Sequence, residues 1–507
     1  MNLLNKTLIL DIETDGLDPT KIWCCATNLF DTVYDAETFK AQLAAHDVQR
    51  IVAHNGIGFD YPVMSKLWGI DWSGYELMDS LVLSRLANPP REAGHSLRQW
   101  GARLGFPKGD HEDWSQLSCE MVKYCEQDVA VTVRVLECLQ DELVGFSEQS
   151  VKLEHDVQTI IQQQIKTGWL IDQKHTNDLI ALLKEKKYEL EETVQKTFIP
   201  LPVFIKEVTP KIKKDGTLSA VGLKFLGDQS ENVAGWFSRV DYPPFNLGSR
   251  QQISRHLQGF GWKPTFFTDK GHAIMDETVL ATVKDIPEAA LIAEYLMVQK
   301  RIAQVQSWMD AVKDDGRVHG YINTNGAVTG RMTHSSPNMA QVPAMYSAYG
   351  HECRSCWTAP EGYSIVGCDA SGLELRMLAH YMKDEDYTNE IINGDIHTAN
   401  QRLAGLESRN QAKTFIYALL YGAGDEKLGS VAGGGRATGK NLRESFLNNL
   451  PSFADLKDRV SEAAGRGYLI GLDGRKLQVR SEHSALNTLL QSAGSLVMKK
   501  ALTLLDD

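Results

Sequence analysis

Four acidic side chains in the first part of the chain have the spacing of a divalent-metal site. Asp11 and Glu13 close the apolar run TLILDIE, Asp60 ends the run IVAHNGIGFD, and Asp128 lies in the amphipathic segment MVKYCEQDVAVTVRVLECL. Residues two apart on a strand face the same way, so Asp11 and Glu13 would lie side by side. Two like charges in that position are costly unless a cation bridges them. Tyr124 precedes Asp128 by four residues and would share its helix face.

A further candidate ligand, Asp369, stands between a predicted strand and a predicted helix. Residues 364–367 read as a buried strand that ends at a small-residue break, and the apolar spacing of residues 373–382 predicts a helix. A carboxylate held at a strand end can bind a divalent metal without moving. Glu374 follows five residues later, where the helix begins.

Two cations and two phenols follow one another at intervals of four in RNQAKTFIYALLYGAG: Arg409, Lys413, Tyr417 and Tyr421, here called the cation–phenol row. On a helix this spacing gives one slowly winding stripe, while Ala412, Phe415, Ile416 and Leu419 fall on a separate face that packs inward. Ser408 is a suitable N-cap and Gly422 a suitable end. Cations followed by aromatic rings suit a nucleoside triphosphate, with charge on the phosphates and rings toward sugar and base.

The composition is that of a large soluble protein. With 507 residues the chain is too long for one core, and 43% hydrophobic with 23% charged residues is ordinary for globular proteins. No apolar run is long enough for a membrane span and no signal peptide is visible, so we expect a cytoplasmic protein. The eight cysteines show no metal-ligand spacing with histidine, which predicts reduced thiols. The net charge of −12 excludes wholesale electrostatic coating of DNA but permits a local basic cleft.

The rest of the sequence predicts the helices and strands that must position these motifs. Residues 154–164 and 177–198 read as helices, and a short strand, GWLID, lies between them. Residues 200–244 lose periodicity and carry prolines and several lysines, which indicates a basic insertion. Helices are predicted again at 250–257 and 288–312, and residues 321–343 read as an extended, loop-rich surface. GLDGRKLQVR predicts a hairpin around Asp473, and residues 486–505 a helix.

DASGLELR and the RxxxKxxxYxxxYG pattern of the cation–phenol row resemble motifs of family A DNA polymerases, closest to the replicative enzymes of T-seven-like bacteriophages. TGRMTHSSPNMAQ and NTLLQSAG resemble further motifs of that family, in the same order. The resemblance implies an α/β multidomain protein, in which a ribonuclease H-like 3′–5′ exonuclease domain precedes a right-hand polymerase. It assigns residues 1–145 to the exonuclease, 146–320 to connector and thumb with the short insertion at about 200–244, and 321–507 to palm and fingers.

For the exonuclease, the resemblance implies that Asp11, Glu13, Asp60 and Asp128 hold two divalent metals about 4 Å apart, which activate water and stabilise the leaving oxygen. Tyr124 would orient the attacking water. His54, Asn55 and Gly56 match the family's second motif, and Asp79 matches a supporting position. The implied cofactor is Mg²⁺, two ions per active site, although Mn²⁺ also suits carboxylates.

For the polymerase, the resemblance makes Asp369 a metal ligand and gives the cation–phenol row the incoming deoxynucleoside triphosphate. Arg409 and Lys413 would bind the terminal phosphates, and Lys413 is the candidate proton donor to pyrophosphate. Glu374 would cover the C2′ side of the sugar and exclude a 2′-hydroxyl. The remaining contacts implied for nucleotide and primer-template DNA are His397, Arg331, Asn338, Gln341 and Gln491.

One family feature is missing from this sequence. No His-Asp-Glu hairpin with the second catalytic acid follows Gln491, so the palm is expected to be incomplete and the metal that activates the primer 3′-OH poorly held. Three interpretations stay open: a second polypeptide supplies the hairpin, the sequence is truncated, or the chain is an exonuclease with an inert, DNA-holding polymerase body. Host thioredoxin is a candidate processivity factor at the insertion, and a basic loop touching only phosphates is the alternative. Rival functions are a stand-alone nuclease and a non-catalytic DNA-binding scaffold.

Overall fold

The chain divides into two compact units. The computed structural model describes residues 2–209, 211–220, 236–264, 267–268, 270–275, 279–280, 283 and 285–506. One unit comprises Met1–Gly168, His319–Ala340 and Ile365–Asp507, and the other comprises Trp169–Val318 and Gln341–Ser364. These bounds do not follow the predicted boundaries at 145 and 320, because the helix Glu148–Thr167 packs within the first unit on both Ser80–Ala87 and Ala485–Asp506. The roles predicted for the three segments stay predictions.

A four-stranded mixed sheet forms the start of the first unit. Its strands are β1 (Thr7–Thr14), β2 (Ile22–Thr27), β3 (Arg50–Ala53) and β4 (Glu76–Asp79), in the spatial order β2-β1-β3-β4. β1 runs antiparallel to β2 and parallel to β3, and β3 runs parallel to β4. The predicted strand carrying the first two acids is confirmed, and it lies in the interior of the sheet.

Helices cover both faces of this sheet, because alternate residues of β1 belong to different cores. Leu8, Leu10 and Ile12 pack in one core, whereas Ile9 packs in another with Trp100. The helices are α1 (Ala36–Ala45), α2 (Asp60–Trp68), α3 (Ser80–Ala87), α4 (Leu97–Arg103), α5 (Cys119–Glu142) and α6 (Glu148–Thr167). The predicted helices at 121–139 and 154–164 are therefore confirmed, with longer bounds.

The second unit contains mostly helices. In its described residues the helices and strands are β5 (Trp169–Leu170), α7 (Gln173–Thr197), β6 (Val203–Val208), β7 (Phe237–Asp241), α8 (Arg250–Gly259), α9 (Pro287–Asp310), β8 (Arg317–Val318) and α10 (Gly350–Ser355). The predicted helices of this region are confirmed. Within the insertion, β6 and β7 form an antiparallel ladder that the lost periodicity did not predict. Positions 210 and 221–235 of that insertion lie outside the described residues.

The rest of the first unit surrounds a further apolar core that includes Phe415, Phe446 and Phe453. In chain order its elements are β9 (Tyr321–Asn323), β10 (Thr333–Ser335), α11 (Leu373–Met382), α12 (Glu385–Ile392), α13 (Ile396–Ala404), α14 (Arg409–Leu420), α15 (Asp425–Val431), α16 (Arg436–Asn449), α17 (Pro451–Ala464), β11 (Tyr468–Ile470), β12 (Lys476–Gln478) and α18 (Ala485–Asp506). The predicted helices α11, α14 and α18 and the hairpin β11–β12 are confirmed.

A buried ionic cluster connects α6 to the end of the chain within this unit. Glu154 is fully buried and accepts hydrogen bonds from Lys499 Nζ at 2.7 and 2.8 Å. Arg475 Nη2 lies 2.7 Å from the same carboxylate and 2.8 Å from Asp473. Because all the charges are paired, the cluster can be buried, but loss of one partner would leave an uncompensated charge.

The strand predicted at 364–367 is wrong. Residues 363–370 have no regular secondary structure and pair with no strand among the described residues, and Tyr363, Ile365 and Val366 are 77%, 52% and 88% exposed. A strand needs a neighbouring chain for its backbone hydrogen bonds, and the described part of the protein supplies none here. Asp369 is therefore exposed in an irregular segment and not held at a buried strand end.

Among the described residues, no helix has both the length and the apolar character needed to cross a bilayer.

Candidate active sites

Three elements bring Asp11, Glu13, Asp60 and Asp128 together, and these four residues are called the acid cluster below. Asp11 and Glu13 lie on β1, Asp60 is the first residue of α2, and Asp128 lies in α5. Burial, together with the charges of Asp128, Asp60 and Glu13, raises the pKa of Asp11 well above its ordinary value. Burial and the charge of Asp128 raise the pKa of Glu13 to about 8, and burial raises that of Asp60 to about 7. The acid cluster is therefore a buried site in which the negative charges of the carboxylates repel one another.

The donor set fits a divalent cation. Asp128 is 2% exposed, and its Oδ1 is buried without a hydrogen-bond partner. A buried carboxylate oxygen without a partner is costly, and a bound cation would remove both this cost and the repulsion among the acids. Oxygen-only carboxylate donors are the ligands that Mg²⁺ and Mn²⁺ prefer.

Lys108 is a site residue that the sequence reasoning missed. Its Nζ forms an ion pair with Asp128 Oδ2 and lies 4.5 Å from the centre of the Tyr124 ring. The segment FPKGDHEDW around it has neither helical nor strand periodicity, so no pattern singled out this lysine. The structure adds a fixed positive charge to the acid cluster and places it over the predicted water-orienting tyrosine.

Aromatic side chains surround Tyr124. The ring of Trp114 lies 5.7 Å from it and that of His111 lies 5.9 Å from it, between ring centres. Trp23 Nε1 donates to the Trp114 carbonyl oxygen at 3.1 Å and thereby anchors this loop to β2. The half-buried phenol therefore faces a small aromatic surface beside the acid cluster.

The Asp79 side chain is hydrogen-bonded to the protein backbone. Its carboxylate accepts backbone hydrogen bonds from Asn55 and Leu81 at 2.9 Å and from Ile57 at 3.2 Å. Asn55 has a positive φ of 70°, so these bonds hold a turn that is otherwise unfavourable. His54 donates to or accepts from Ser80 Oγ at 2.8 Å. These contacts agree with a supporting position for Asp79.

The cation–phenol row faces outward from α14. Arg409, Lys413 and Tyr421 are exposed and Tyr417 is half-buried, whereas the four apolar residues predicted to pack inward are buried. Ser408 caps the helix in a reciprocal capping box with Gln411. The tyrosine rings lie 6.3 Å apart, and that of Tyr417 lies 6.4 Å from His397, between ring centres. His397 therefore joins the row.

Asp395 binds the arginine of this row. Arg409 Nε and Nη2 lie 2.6 and 3.1 Å from the two oxygens of Asp395. The same carboxylate accepts the backbone N–H of His397 at 3.2 Å and so caps α13. Hydrogen bonds from Arg409 and Thr398 lower the pKa of Asp395 below its usual range. The guanidinium is thereby held at the N-terminus of α13, next to His397.

Glu374 and Arg331 act electrostatically on the phenols. Burial and the negative charge of Glu374 raise the pKa of both Tyr417 and Tyr421, and the Arg331 cation opposes this at Tyr421. Glu374 is in the first turn of α11, five residues after Asp369. The structure thus brings the predicted sugar-side residue to the row.

The remaining predicted DNA contacts are distributed over both units. Asn338 is exposed, and its Oδ1 accepts from the Ala340 backbone at 3.1 Å. Gln491 and Ser495 share a face of α18, and Ser495 Oγ donates to the Gly330 carbonyl oxygen at 2.9 Å, which places this face near Arg331. Gln341 belongs to the other unit.

Comparisons with known proteins point to one family. Residues 224–507 match the family model described as DNA polymerase family A. The DNA-directed DNA polymerase of Escherichia phage T7 is 36% identical, with 97% of this chain and 88% of that protein covered. The corresponding protein of Enterobacteria phage T3 is 37% identical, with 89% and 81% covered. A solved structure, the POL domain of Pol1 from M. smegmatis in complex with DNA primer-template and dNTP, has a TM-score of 0.72 at 17% identity and covers 98% of this chain and 84% of its own.

Proposed function

The chain belongs to DNA polymerase family A and is of the T7-like phage type, and on this premise we propose that it extends a DNA primer on a template and removes nucleotides from 3′ ends. Residues 1–145 would form a ribonuclease H-like proofreading domain, residues 146–320 the connector and thumb, and residues 321–507 the palm and fingers of a right-hand polymerase. The observation that carries the exonuclease assignment is the acid cluster, in which the buried Oδ1 of Asp128 lacks a partner. The protein would act in phage DNA replication in the host cytoplasm.

In the exonuclease, this chain's residues hold and orient the reacting groups. Two Mg²⁺ ions bound by the acid cluster would supply the Lewis-acid stabilisation of the attacking and leaving oxygens. The Tyr124 hydroxyl would orient the attacking water. Lys108, already beside Asp128, is placed to attract the phosphate that is cleaved. The rings of His111 and Trp114 offer a stacking surface for an unpaired base.

In the polymerase, the cation–phenol row would bind the incoming nucleotide. Arg409 and Lys413 would hold its phosphates, and Lys413 would protonate the leaving pyrophosphate. The negative charge of Glu374 acts on both phenols, and its carboxylate would exclude a 2′-hydroxyl from the bound sugar. Asp395 keeps the Arg409 guanidinium oriented before the phosphates arrive. Arg331, Asn338, Gln341 and Gln491 would contact the primer-template duplex.

We propose that polymerisation also needs a second carboxylate supplied from outside these 507 residues. Asp369 is the one predicted polymerase metal ligand, and its segment is irregular and pairs with no strand among the described residues. Tyr363, Ile365 and Val366 expose apolar surface there, which a completing hairpin would cover. The source would be a second polypeptide or further chain.

Primer extension tests this requirement. We expect this chain alone to extend a primer slowly or not at all, and addition of a polypeptide that carries an acid-bearing hairpin to restore extension. Asp369→Asn should abolish the restored activity. Robust extension by the chain alone would show that no further carboxylate is required.

The exonuclease is tested separately on single-stranded DNA with a labelled 3′ end. The double substitution Asp11→Ala with Glu13→Ala should abolish release of the label in Mg²⁺. Asp18→Ala removes an exposed acid on the neighbouring loop and should leave the rate unchanged. Equal rates for the double variant and the parent would remove the exonuclease assignment.

An alternative function is a 3′–5′ exonuclease with a DNA-holding, inert polymerase body. The contrast between the assembled acid cluster and the solitary, exposed Asp369 favours it. The two functions differ in one outcome: the alternative forbids nucleotide incorporation even when a completing polypeptide is supplied.

Host thioredoxin is a proposed processivity partner at the basic insertion. The support is the position of the insertion, immediately before the FNLGSR segment at 245–250, and its lysines. A pull-down with reduced thioredoxin tests this, and absence of binding would remove the partner.

A further inference from the structure

A cysteine lies inside the acid cluster. Cys125, on α5, is fully buried, and its thiol donates to the Asp11 carbonyl oxygen at 3.3 Å. Its Sγ lies 3.6 Å from Asp11 Oδ2. Asp11, Glu13 and Cys125 are the one group of at least three potential ligands in the described part of the chain whose ligand atoms all lie within 4.8 Å of one another. A sulfur donor is thus built into a set of oxygen donors.

The spacing of these atoms suits a tetrahedral soft cation. Zinc–sulfur bonds of about 2.3 Å and zinc–oxygen bonds of about 2.1 Å place the sulfur and oxygen of a tetrahedral site about 3.6 Å apart. The separation of Cys125 Sγ and Asp11 Oδ2 is the same. Hard cations such as Mg²⁺ do not use sulfur, whereas Zn²⁺ binds thiolate strongly.

A second, independent observation points to a ligand at this place. Asp128 lies one turn after Cys125 on the same helix, and its buried Oδ1 has no hydrogen-bond partner. The negative charge of Asp128 also raises the pKa of both Asp11 and Glu13, in agreement with a position close to them. A fourth donor is therefore available to an ion bound by the other three.

We propose that this set forms a second cation-binding mode, in which Cys125 sulfur, Asp11 and Glu13 bind a soft divalent ion such as Zn²⁺ or Cd²⁺. Binding releases the thiol proton to solvent and replaces its hydrogen bond to the Asp11 carbonyl oxygen with a metal–sulfur bond. The ion removes both β1 acids from the pair of Mg²⁺ sites and inhibits hydrolysis at 3′ ends. The binding rests on geometry alone, whereas the inhibition also rests on the proposed exonuclease.

Titration of the metal-free full chain with Cd²⁺ tests the binding through the sulfur-to-metal charge-transfer absorption. For the parent we expect an absorption band that saturates at one tightly bound equivalent of Cd²⁺. Cys125→Ser should remove this band or lower the affinity for Cd²⁺ by roughly tenfold or more. Serine keeps a donor for the Asp11 carbonyl oxygen. Cys119→Ser is the matched control, because Cys119 is an exposed thiol at the start of the same helix, and it should retain the tight equivalent.

A second variant avoids altering the cysteine. Asp11→Asn with Glu13→Gln leaves every thiol in place and should weaken Cd²⁺ binding to a similar degree. Three results would each overturn the proposal and assign any absorption to other thiols. They are an unchanged band in Cys125→Ser, an unchanged affinity in the carboxylate variant, and the absence of a tight equivalent in the parent.

A hydrolysis assay on DNA 3′ ends then tests the inhibition. The rate is measured in Mg²⁺ with and without Cd²⁺ and is normalised to each variant's own rate in Mg²⁺ alone. Absent hydrolysis in Mg²⁺ alone refutes the exonuclease, and hydrolysis unaffected by bound Cd²⁺ refutes the inhibition.

Discussion

Replacing Glu13 with glutamine should stabilise the metal-free protein at pH 8 and change it little at pH 5. Glutamine keeps the shape of the side chain and removes a charge that is unfavourable in the fold. Glu13 is 6% exposed, and the charges of Asp128 and Asp60 disfavour its ionised form. Because Mg²⁺ would compensate that charge, we expect the stabilisation only when a chelator keeps the protein free of metal.

The size of the effect follows from the pKa of Glu13. Burial and Asp128 raise it from 4.5 to about 8, so the folded state binds a proton that the unfolded state has released between these values. The contribution of this group to stability is fully present below pH 4.5 and is lost as the pH rises through about 8. The difference corresponds to at most about 5 kcal/mol. Since the four acids ionise against one another and their effects do not add, we expect about 2–4 kcal/mol at pH 8.

Thermal unfolding in EDTA at pH 5 and pH 8 measures this prediction. At about 2–4 °C per kcal/mol for a domain of 150–250 residues, the melting temperature of the variant should rise by several degrees at pH 8. Glu37→Gln removes an exposed charge from α1 of the same unit and should cause no comparable rise. In Mg²⁺ the order should reverse, because the variant has lost a ligand. No rise at pH 8, or an equal rise at pH 5, would refute the reasoning.

Three other substitutions have expected outcomes. Glu374→Ala should raise the ratio of ribonucleotide to deoxyribonucleotide incorporation by the completed polymerase, and an unchanged ratio would argue against a sugar gate. Lys108→Met should lower the single-turnover rate of 3′-end hydrolysis by roughly tenfold or more, as expected for a charge acting on a phosphate, whereas the exposed Lys123→Met on α5 should not. Glu154→Gln should cost about 3–5 kcal/mol in denaturant unfolding, because the buried Lys499 loses its anionic partner and the buried Arg475 loses one of two; a cost as small as that of the exposed Glu148→Gln would contradict this.

Local patterns predicted the elements that carry the candidate sites. The stripe on α14 followed from a spacing of four and a serine cap, and both are present in the structure. The pair of acids on β1 followed from the two-residue period of a strand. These predictions depend only on near neighbours in sequence, and the same is true of α11, α18 and the hairpin β11–β12.

Contacts between distant parts of the chain could not be predicted in this way. Lys108 reaches Asp128 from an irregular loop, and Lys499 reaches Glu154 across 345 positions of sequence. In the sequence, such lysines are indistinguishable from solvated surface charges. The apolar run before Asp369 has the pattern of a buried strand, but burial needs a partner strand that the described residues do not contain. Periodicity identifies which residues can be buried and does not supply the surface that covers them.

Lys108 explains how the acid cluster can fold before a metal binds. Its cation lowers the pKa of Asp11, Glu13 and Asp128 against the larger effect of burial, and it binds one oxygen of Asp128 while the other stays without a partner. A metal can therefore approach the unpartnered oxygen without first breaking the ion pair. In the proposed exonuclease, loss of the lysine would remove a charge that repels the metal and attracts the DNA phosphate. Two charges 4 Å apart interact by about 4 kcal/mol at a protein surface. Lys108→Met should accordingly bind Mg²⁺ more tightly while hydrolysing DNA more slowly, and a variant that bound the metal more weakly would show that the lysine only maintains the shape of the site.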